Sequence, residues 1–155
     1  MKKIFLLLAC LCGFAACNTV QSIQSMQQAV NCRYELLSAN VSDFSLSDID
    51  LDVKVGITNT SKTQAAKLNR FAGKLYINDE ETSAITFGAY DIAPASTEVA
   101  KASLNIPFAT VGKNVIGLVT TNSKAIRYKI KGTMYFATPL GELPFPVVIE
   151  PKQDK

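Results

Sequence analysis

Apolar and polar side chains alternate almost without a break between residues 48 and 62. Successive side chains of a β-strand point to opposite faces of the sheet, so this alternation predicts a strand with one buried and one solvated face. The apolar positions are Ile49, Leu51, Val53, Val55 and Ile57. Three kinds of structure could bury them: a plain hydrophobic core, a ligand pocket or the surface of a partner.

The two-residue period recurs along most of the chain after residue 31. Turn-forming Asn, Ser, Gly and Pro residues separate the alternating segments, and about seven such strands are predicted. Near residues 108-121 the apolar spacing changes to three and four, which predicts one α-helix. The helical positions are Phe108, Val111, Val115, Leu118 and Val119. One-sided strands in this number favour a mainly β protein built as a β-sandwich.

The first and last predicted strands differ in character. The first runs from Cys32 to Val41, and the last runs from Leu143 to Ile149 and contains Pro144 and Pro146. Proline cannot donate a hydrogen bond to a neighbouring strand, so prolines within a strand indicate an edge position. We therefore expect the last strand at the edge of its sheet.

The N-terminus has the pattern of an export signal. Lys2 and Lys3 precede a short apolar run, residues 4–11, and Phe14-Ala15-Ala16-Cys17 follows. A membrane-spanning helix takes roughly 20 apolar residues, so the run is too short to span and is typical of a signal peptide. The last four residues resemble a bacterial lipobox, in which the cysteine is acylated and becomes the first residue of the mature protein.

These features predict a domain organisation. Residues 1-16 are expected to be a lipoprotein signal peptide with lipid attachment at Cys17, and residues 17-31 the acylated cysteine and a tether or short helix. Residues 32-150 should form the sandwich, and residues 151-155 a tail. Ordinary signal cleavage, acylation at Cys10 and an uncleaved anchor are the alternatives.

Charge and cysteine content exclude some classes of protein. Two of the 16 lysine and arginine residues lie in the predicted signal peptide, which leaves 14 against 13 acidic residues. This balance argues against a nucleic-acid partner, which would require a strong basic footprint. Cys32 would be the remaining cysteine after Cys17, so no intramolecular disulfide is expected. Its place in an alternating segment favours a small buried residue over a reactive thiol.

Catalytic and metal chemistry find little support. The chain contains no histidine, the commonest general base and zinc ligand, and we expect no catalytic residues, no metal and no cofactor. Asp50 and Asp52 share one strand face and could hold calcium, but a solvated strand face is the simpler interpretation. The acidic segment from Asp79 to Glu81 is expected to be a hairpin tip.

Two groups of residues are candidates for lipid contact. Arg127, Lys129 and Lys131 lie on one face of a predicted strand and could meet anionic lipid head groups, although a solvated or edge-protecting face has the same pattern. Four small residues on inward faces could leave room for an apolar ligand between the sheets, or they could face large neighbours in a dry core. They are Gly73, Ala100, Ala102 and Gly132.

The order of segments resembles a known family. Ile49 to Asn59, Phe71 to Asn78, Ile106-Pro107-Phe108 before the predicted helix, and Tyr128 to Gly132 before a Pro-Gly hairpin follow one another as in the late embryogenesis abundant (LEA) type 2, or WHy-domain, family. The likeness is greatest to its bacterial lipoprotein members and covers residues 32 to 150. That family often has Asn-Pro-Asn where this chain has Asn59-Thr60-Ser61.

The resemblance implies a fold and leaves function open. It implies a fibronectin-III- or immunoglobulin-like sandwich with a single helix and no established catalytic residues. Members of the family are associated with desiccation stress in plants, and related domains have been proposed to bind lipids. We therefore expect a lipid-anchored, non-enzymatic lipoprotein of the outer membrane, facing the periplasm. It would act as an interaction or stress-protective module on an envelope partner, or alternatively as a binder or carrier of lipid or another apolar ligand between the sheets.

Overall fold

The structure, a computed structural model, describes residues 31–110, 126–139 and 141–151. Within these residues the chain forms eight β-strands and no helix. The strands are β1 (Cys32–Phe44), β2 (Asp48–Asn59), β3 (Ala66–Ile77), β4 (Glu80–Phe87), β5 (Tyr90–Ile92), β6 (Thr97–Pro107), β7 (Tyr128–Thr138) and β8 (Gly141–Ile149). The prediction of a mainly β protein is confirmed.

The strands form two antiparallel sheets. Sheet A has the order β1-β2-β6, and sheet B has the order β4-β3-β7-β8 with β5 also paired to β3. Strand β8 lies at the edge of sheet B, as Pro144 and Pro146 predicted. The sheets meet along their sides, where β4 lies beside β6 and β1 beside β8. Where β1 lies beside β8, the Leu36 N–H donates to the Glu150 carbonyl oxygen over 3.1 Å.

The alternating segment that begins at residue 48 forms β2, and its apolar face is buried. Its apolar side chains are at most 4% exposed. Four of them belong to the hydrophobic core, to which sheet B contributes its own inward-facing side chains. The largest fully buried side chains of sheet B are Phe71, Leu68, Leu75, Ile85, Ile92, Ile130, Met134, Phe136 and Ile149. A core shared by both sheets therefore buries this face.

Irregular pairing explains where predicted and observed strands differ. Strand β3 begins at Ala66 rather than Arg70, because a register shift between Leu68 and Arg70 interrupts the alternation. Strand β1 extends to Phe44 past a similar shift after Val41. Strand β5 has three residues, too few for a periodic pattern to be recognised.

Several predictions concern residues outside the described ranges. Of the helix predicted near residues 108-121, residues 108–110 form a turn and the rest lies outside. The signal peptide, Cys17 and almost all of the tether and tail also lie outside, so they stay predictions. In the part of the chain that the structure describes, no helix is long and apolar enough to span a membrane.

Candidate functional site

The predicted basic row lies on the outer face of sheet B at the start of β7. Two of its three cations are paired with carboxylates. The Arg127 guanidinium lies 3.1 Å from Asp79, and the Lys129 ammonium lies 3.4 Å from Asp79 and 3.2 Å from Glu150. The hydrogen bonds that Lys129 donates to Glu150 and then to Asp79 raise the pKa of its ammonium group. The Lys131 ammonium instead lies 4.8 Å from the centre of the Tyr76 ring.

A tight hairpin brings these charges together. Asn78 and Asp79 connect β3 to β4 with φ angles of 51° and 69°, a left-handed conformation that Asn and Asp tolerate in two-residue turns. The Asn78 side-chain oxygen accepts a hydrogen bond from the Arg127 N–H over 3.0 Å. The Asn78 N–H donates to the Arg127 carbonyl oxygen over 2.9 Å. The hairpin is thereby fixed against the chain entering β7, with Asp79 beside both cations.

An open cleft of about 310 Å³ lies at this position. Ile126, Tyr128 and Pro151 provide its apolar lining, and burial raises the pKa of Tyr128. Its charged lining consists of the two cations and two carboxylates of the paired row: Asp79, Arg127, Lys129 and Glu150. Apolar surface thus adjoins a charge cluster that is neutral as a whole, an arrangement that suits a small amphiphile better than a simple anion.

The four small inward residues are divided between the two sheets that enclose the core. Gly73 and Gly132 are directly opposite each other on β3 and β7. Ala100 and Ala102 lie on β6 and pair with β2. A Cβ atom added at either glycine would lie 2.5 Å from Cζ of Phe71. The Phe71 ring therefore occupies the space over the glycines, and a ligand there would have to displace it.

The carboxylates considered as calcium ligands are held by neutral donors. The Asp52 carboxylate accepts a hydrogen bond from the Ser103 hydroxyl over 2.6 Å, and the Asp50 carboxylate accepts one from the Asn105 amide over 2.8 Å. Among the described residues, no group of three or more His, Cys, Asp or Glu residues could hold a metal ion. Both aspartates are thus part of polar cross-strand pairs on the outer face of sheet A.

Cys32 is buried at the start of β1, as its place in the alternating pattern predicted. Burial raises the pKa of its thiol to about 11, and a hydrogen bond with Tyr34 opposes part of this rise. A thiol with so high a pKa is almost entirely protonated at neutral pH, and the thiolate is the nucleophilic form. The geometry therefore favours a structural cysteine.

Asn59 has a structural role that the sequence pattern did not reveal. Its side chain is 1% exposed, and its amide nitrogen lies within hydrogen-bonding distance of three carbonyl oxygens, those of Gln64, Ile92 and Ala93. Its side-chain oxygen accepts a hydrogen bond from the Ser61 N–H over 3.0 Å. Strand β2 of sheet A is thereby tied to β5 of sheet B. In the sequence, Asn59 is a single Asn at the end of a strand segment, a position equally typical of a turn residue.

Comparisons with known proteins find similarity in structure. No protein-family model matches the chain, and no curated protein matches it. A solution structure of a protein from Arabidopsis thaliana has a TM-score of 0.56 and 11% identity, and the match covers 74% of this chain and 76% of that one. An X-ray structure of a structural genomics target has a TM-score of 0.51 and 17% identity, covering 79% of this chain and 84% of that one.

A third match is a solution structure of a candidate late embryogenesis abundant (LEA) protein. Its TM-score is 0.49 at 12% identity, and the match covers 89% of this chain and 83% of that one. At such low identities, similarity concerns the fold and not the activity. The chain therefore shares its β-sandwich fold with the Arabidopsis protein and the structural genomics target.

Proposed function

We propose that the protein is a lipid-anchored, non-enzymatic β-sandwich lipoprotein of the cell envelope, related to LEA type 2 proteins. Cys17 carries the acyl chains, and residues 18–31 connect them to the sandwich. The sandwich acts as an interaction or stress-protective module at the outer membrane, on its periplasmic side. The lipobox-like N-terminus and the order of strand segments support this proposal.

The observation that carries the choice of an interaction module is the filled core. The Phe71 ring covers Gly73 and Gly132 and stacks on Phe87 with ring centres 5.2 Å apart. Ala100 is completely buried against this core. Because the Phe71 ring already fills the space over the two glycines, this packing supports the outer faces, edges and turns as the surfaces available to a partner.

The absence of histidine from the whole sequence supports a non-enzymatic role. Several of the described carboxylates point the same way, because they are bound to cations, hydroxyls or amides on the surface. Glu142, for example, accepts hydrogen bonds from two nitrogens of Arg70 over 3.3 and 2.8 Å. Both side chains of this bidentate pair are exposed to solvent, which is typical of a surface ion pair.

A carrier of lipid or another apolar ligand is the second candidate. The cleft beside Tyr128 favours it, because apolar lining and two opposite charge pairs meet within about 310 Å³. A ligand with a short apolar part and a zwitterionic head group could place its apolar part against Tyr128. Its cationic group could then pair with Asp79, and its anionic group with Lys129.

Metabolic labelling with palmitate tests the anchor. Cells that express the full chain should incorporate the label into this protein, and Cys17→Ser should abolish incorporation. Persistent label in Cys17→Ser would place the acylation elsewhere and contradict the assignment. Cys32→Ser is a matched control that should leave labelling unchanged.

Native mass spectrometry of the mature protein separates the two functional candidates. The interaction module is expected to have the mass of the acylated chain alone after detergent removal. A stoichiometric additional lipid, released by organic extraction, would favour the carrier. If Arg127→Gln reduced the bound lipid, the cleft would be identified as its site.

A further inference from the structure

Exposed apolar side chains concentrate in one short part of the molecule. The described residues expose six large hydrophobic side chains, and four of these lie between residues 37 and 46. They are Leu37 (49% exposed), Val41 (40%), Phe44 (48%) and Leu46 (100%). We call these four residues the β1 apolar row.

The row follows an edge of the sandwich. Strand β1 is one of the two edge strands of sheet A. Val41 and Phe44 are paired with the inward-facing Leu51 and Ile49, whereas Leu37 lies over Gly56 on the outer face. Because β1 is an edge strand, the side chains from both of its faces lie along the same side of the domain, with polar residues between them in the sequence.

Hydrogen bonds organise the turn that carries the end of the row. Leu46 lies in the turn between β1 and β2, where the Asp48 carboxylate accepts hydrogen bonds from the hydroxyls of Ser45 and Ser47 over 2.8 and 2.7 Å. The Phe108 N–H donates to the Ser47 carbonyl oxygen over 2.9 Å. A hydrogen-bonded turn of this kind presents Leu46 to the outside as part of the fold.

The strand that bears the row is also the strand next to the proposed anchor. Residues 18–30 separate Cys17 from Asn31, which the structure fixes at the start of β1. The Asn31 carbonyl oxygen accepts hydrogen bonds from the N–H and hydroxyl of Thr60 over 2.8 and 2.7 Å. A linker of 13 residues reaches about 45 Å when extended, enough for β1 to lie along the bilayer.

We propose that the β1 apolar row docks side-on into the interfacial layer of the membrane that holds the anchor. This inference rests on the proposed lipid anchor, which keeps β1 close to a bilayer. Leucine and phenylalanine side chains favour the boundary between head groups and acyl chains, where water still satisfies the edge of β1 beyond Leu36, whose N–H is bound to the Glu150 carbonyl oxygen. Asp43 beside the row disfavours a highly anionic surface, so binding should not depend on anionic lipid.

Single tryptophan probes test the proposal, because the chain contains no tryptophan. Leu37→Trp and Leu46→Trp report on the two ends of the row. Thr86→Trp is the matched control, since Thr86 is exposed on β4, at the opposite side of the sandwich. Each mature acylated variant is reconstituted in vesicles of phosphatidylethanolamine with little phosphatidylglycerol, with or without brominated acyl chains. Circular dichroism verifies that each variant is folded.

Side-on docking predicts that brominated lipid quenches most of the emission at positions 37 and 46 and leaves position 86 unchanged. Quenching at 46 alone would indicate contact by the tip only and would overturn the side-on orientation. Equal quenching at all three positions, or at none, would also overturn it. Acylation is measured by mass on the same samples, so a missing anchor is distinguished from an acylated protein whose β1 stays in water.

Discussion

The outer faces of the two sheets use their charges in opposite ways. On sheet B, cations are paired with carboxylates: Arg70 with Glu142 at 2.8 Å and Lys74 with Glu81 at 2.6 Å. All the ion pairs among the described residues involve sheet B or its connections. Its one like-charged neighbour pair, Lys74 and Lys131, is relieved because Lys131 lies over the Tyr76 ring.

On sheet A, like charges lie directly opposite each other. Asp43 faces Asp50 across β1 and β2, and Lys54 faces Lys101 across β2 and β6. Such pairs are destabilising in antiparallel sheets. The comparison teaches that sheet B pairs its surface charges with opposite ones, whereas sheet A places like charges opposite each other and holds Asp50 and Asp52 through the neutral donors Asn105 and Ser103.

The largest expected effect contrasts one glycine from each sheet. In sheet B, a Cβ atom at Gly132 would lie 2.5 Å from the Ala72 carbonyl oxygen, which is backbone and cannot move away easily. We expect Gly132→Ala to lower the free energy of unfolding by about 3 kcal/mol. Chemical denaturation measures the effect.

The matched variant is Gly56→Ala in sheet A. There the added Cβ would lie 3.3 Å from a methyl carbon of Leu37, whose half-exposed side chain can turn aside. We expect a change within about 1 kcal/mol. Equal losses for both variants would show that Phe71 and its neighbours do not pack as tightly as the structure indicates.

A second prediction concerns the link between the sheets. Asn59→Ala removes the donor that three carbonyl oxygens share, and we expect unfolding to become easier by about 2 kcal/mol. Asn105→Ala is the control, because Asn105 is an exposed partner of Asp50 and should change stability by less than about 0.5 kcal/mol. Urea unfolding of both variants tests this prediction. Equal small effects would show that the hydrogen bonds of Asn59 do not stabilise the contact between the two sheets.

A third prediction uses pH and salt to separate the faces. Hydrogen bonding to Arg70 lowers the pKa of Glu142, and hydrogen bonding to Lys74 lowers the pKa of Glu81. The pKa of Asp48, at the end of sheet A, is lowered by the hydroxyls of Ser47 and Ser45. Salt screens charges more effectively than it weakens hydrogen bonds between neutral and charged groups.

Titration of the carboxyl groups by NMR should therefore give different salt responses. At high salt, the pKa values of Glu81 and Glu142 should rise toward the ordinary value of 4.5, while Asp48 keeps most of its shift. Because the folded-state pKa values are lowered, the stability from these glutamates is present above about pH 4.5 and is lost as the pH falls through the folded values. Identical salt responses at all three carboxyls would contradict the distinction.

The smallest effect is expected at the basic row. Arg127→Gln removes an ion pair whose arginine side chain is 79% exposed, and the free energy of unfolding should change by less than about 0.5 kcal/mol. Thermal unfolding measures it, with Lys67→Gln at another exposed pair as the comparison. A loss well above 1 kcal/mol would mean that the Asp79 hairpin depends on Arg127 for its position.

Sequence patterns predicted the parts of this fold that depend on local order. The alternation in β2 identified its buried residues, and Pro144 and Pro146 indicated the edge position of β8. The patterns failed at Leu68–Arg70 and after Val41, because a register shift places residues of the same face at irregular spacing. The three-residue strand β5 is held mainly by its pairing with β3, which local sequence does not encode.

The sequence predicted the cations of the candidate site but not the carboxylates with which they pair. Arg127 and Lys129 are visible as alternate residues in one segment, but Asp79 lies 48 and 50 residues away in sequence. Likewise, Gly73 and Gly132 were recognised as small inward residues, but their direct opposition depends on the register of β3 against β7. The Phe71 ring covers both glycines only because that register places them opposite each other.

By itself, the sequence determined which side of each regular strand is dry, which strand lies at an edge and that histidine chemistry is excluded, because these follow from residue type and nearest-neighbour geometry. Tertiary structure alone decided that Phe71 covers two opposed glycines, that Asn59 joins the sheets and that sheet B pairs its charges while sheet A opposes like ones. The physical reason is that side-chain contacts between strands depend on register and sheet order, which bring distant residues within a few ångströms of each other.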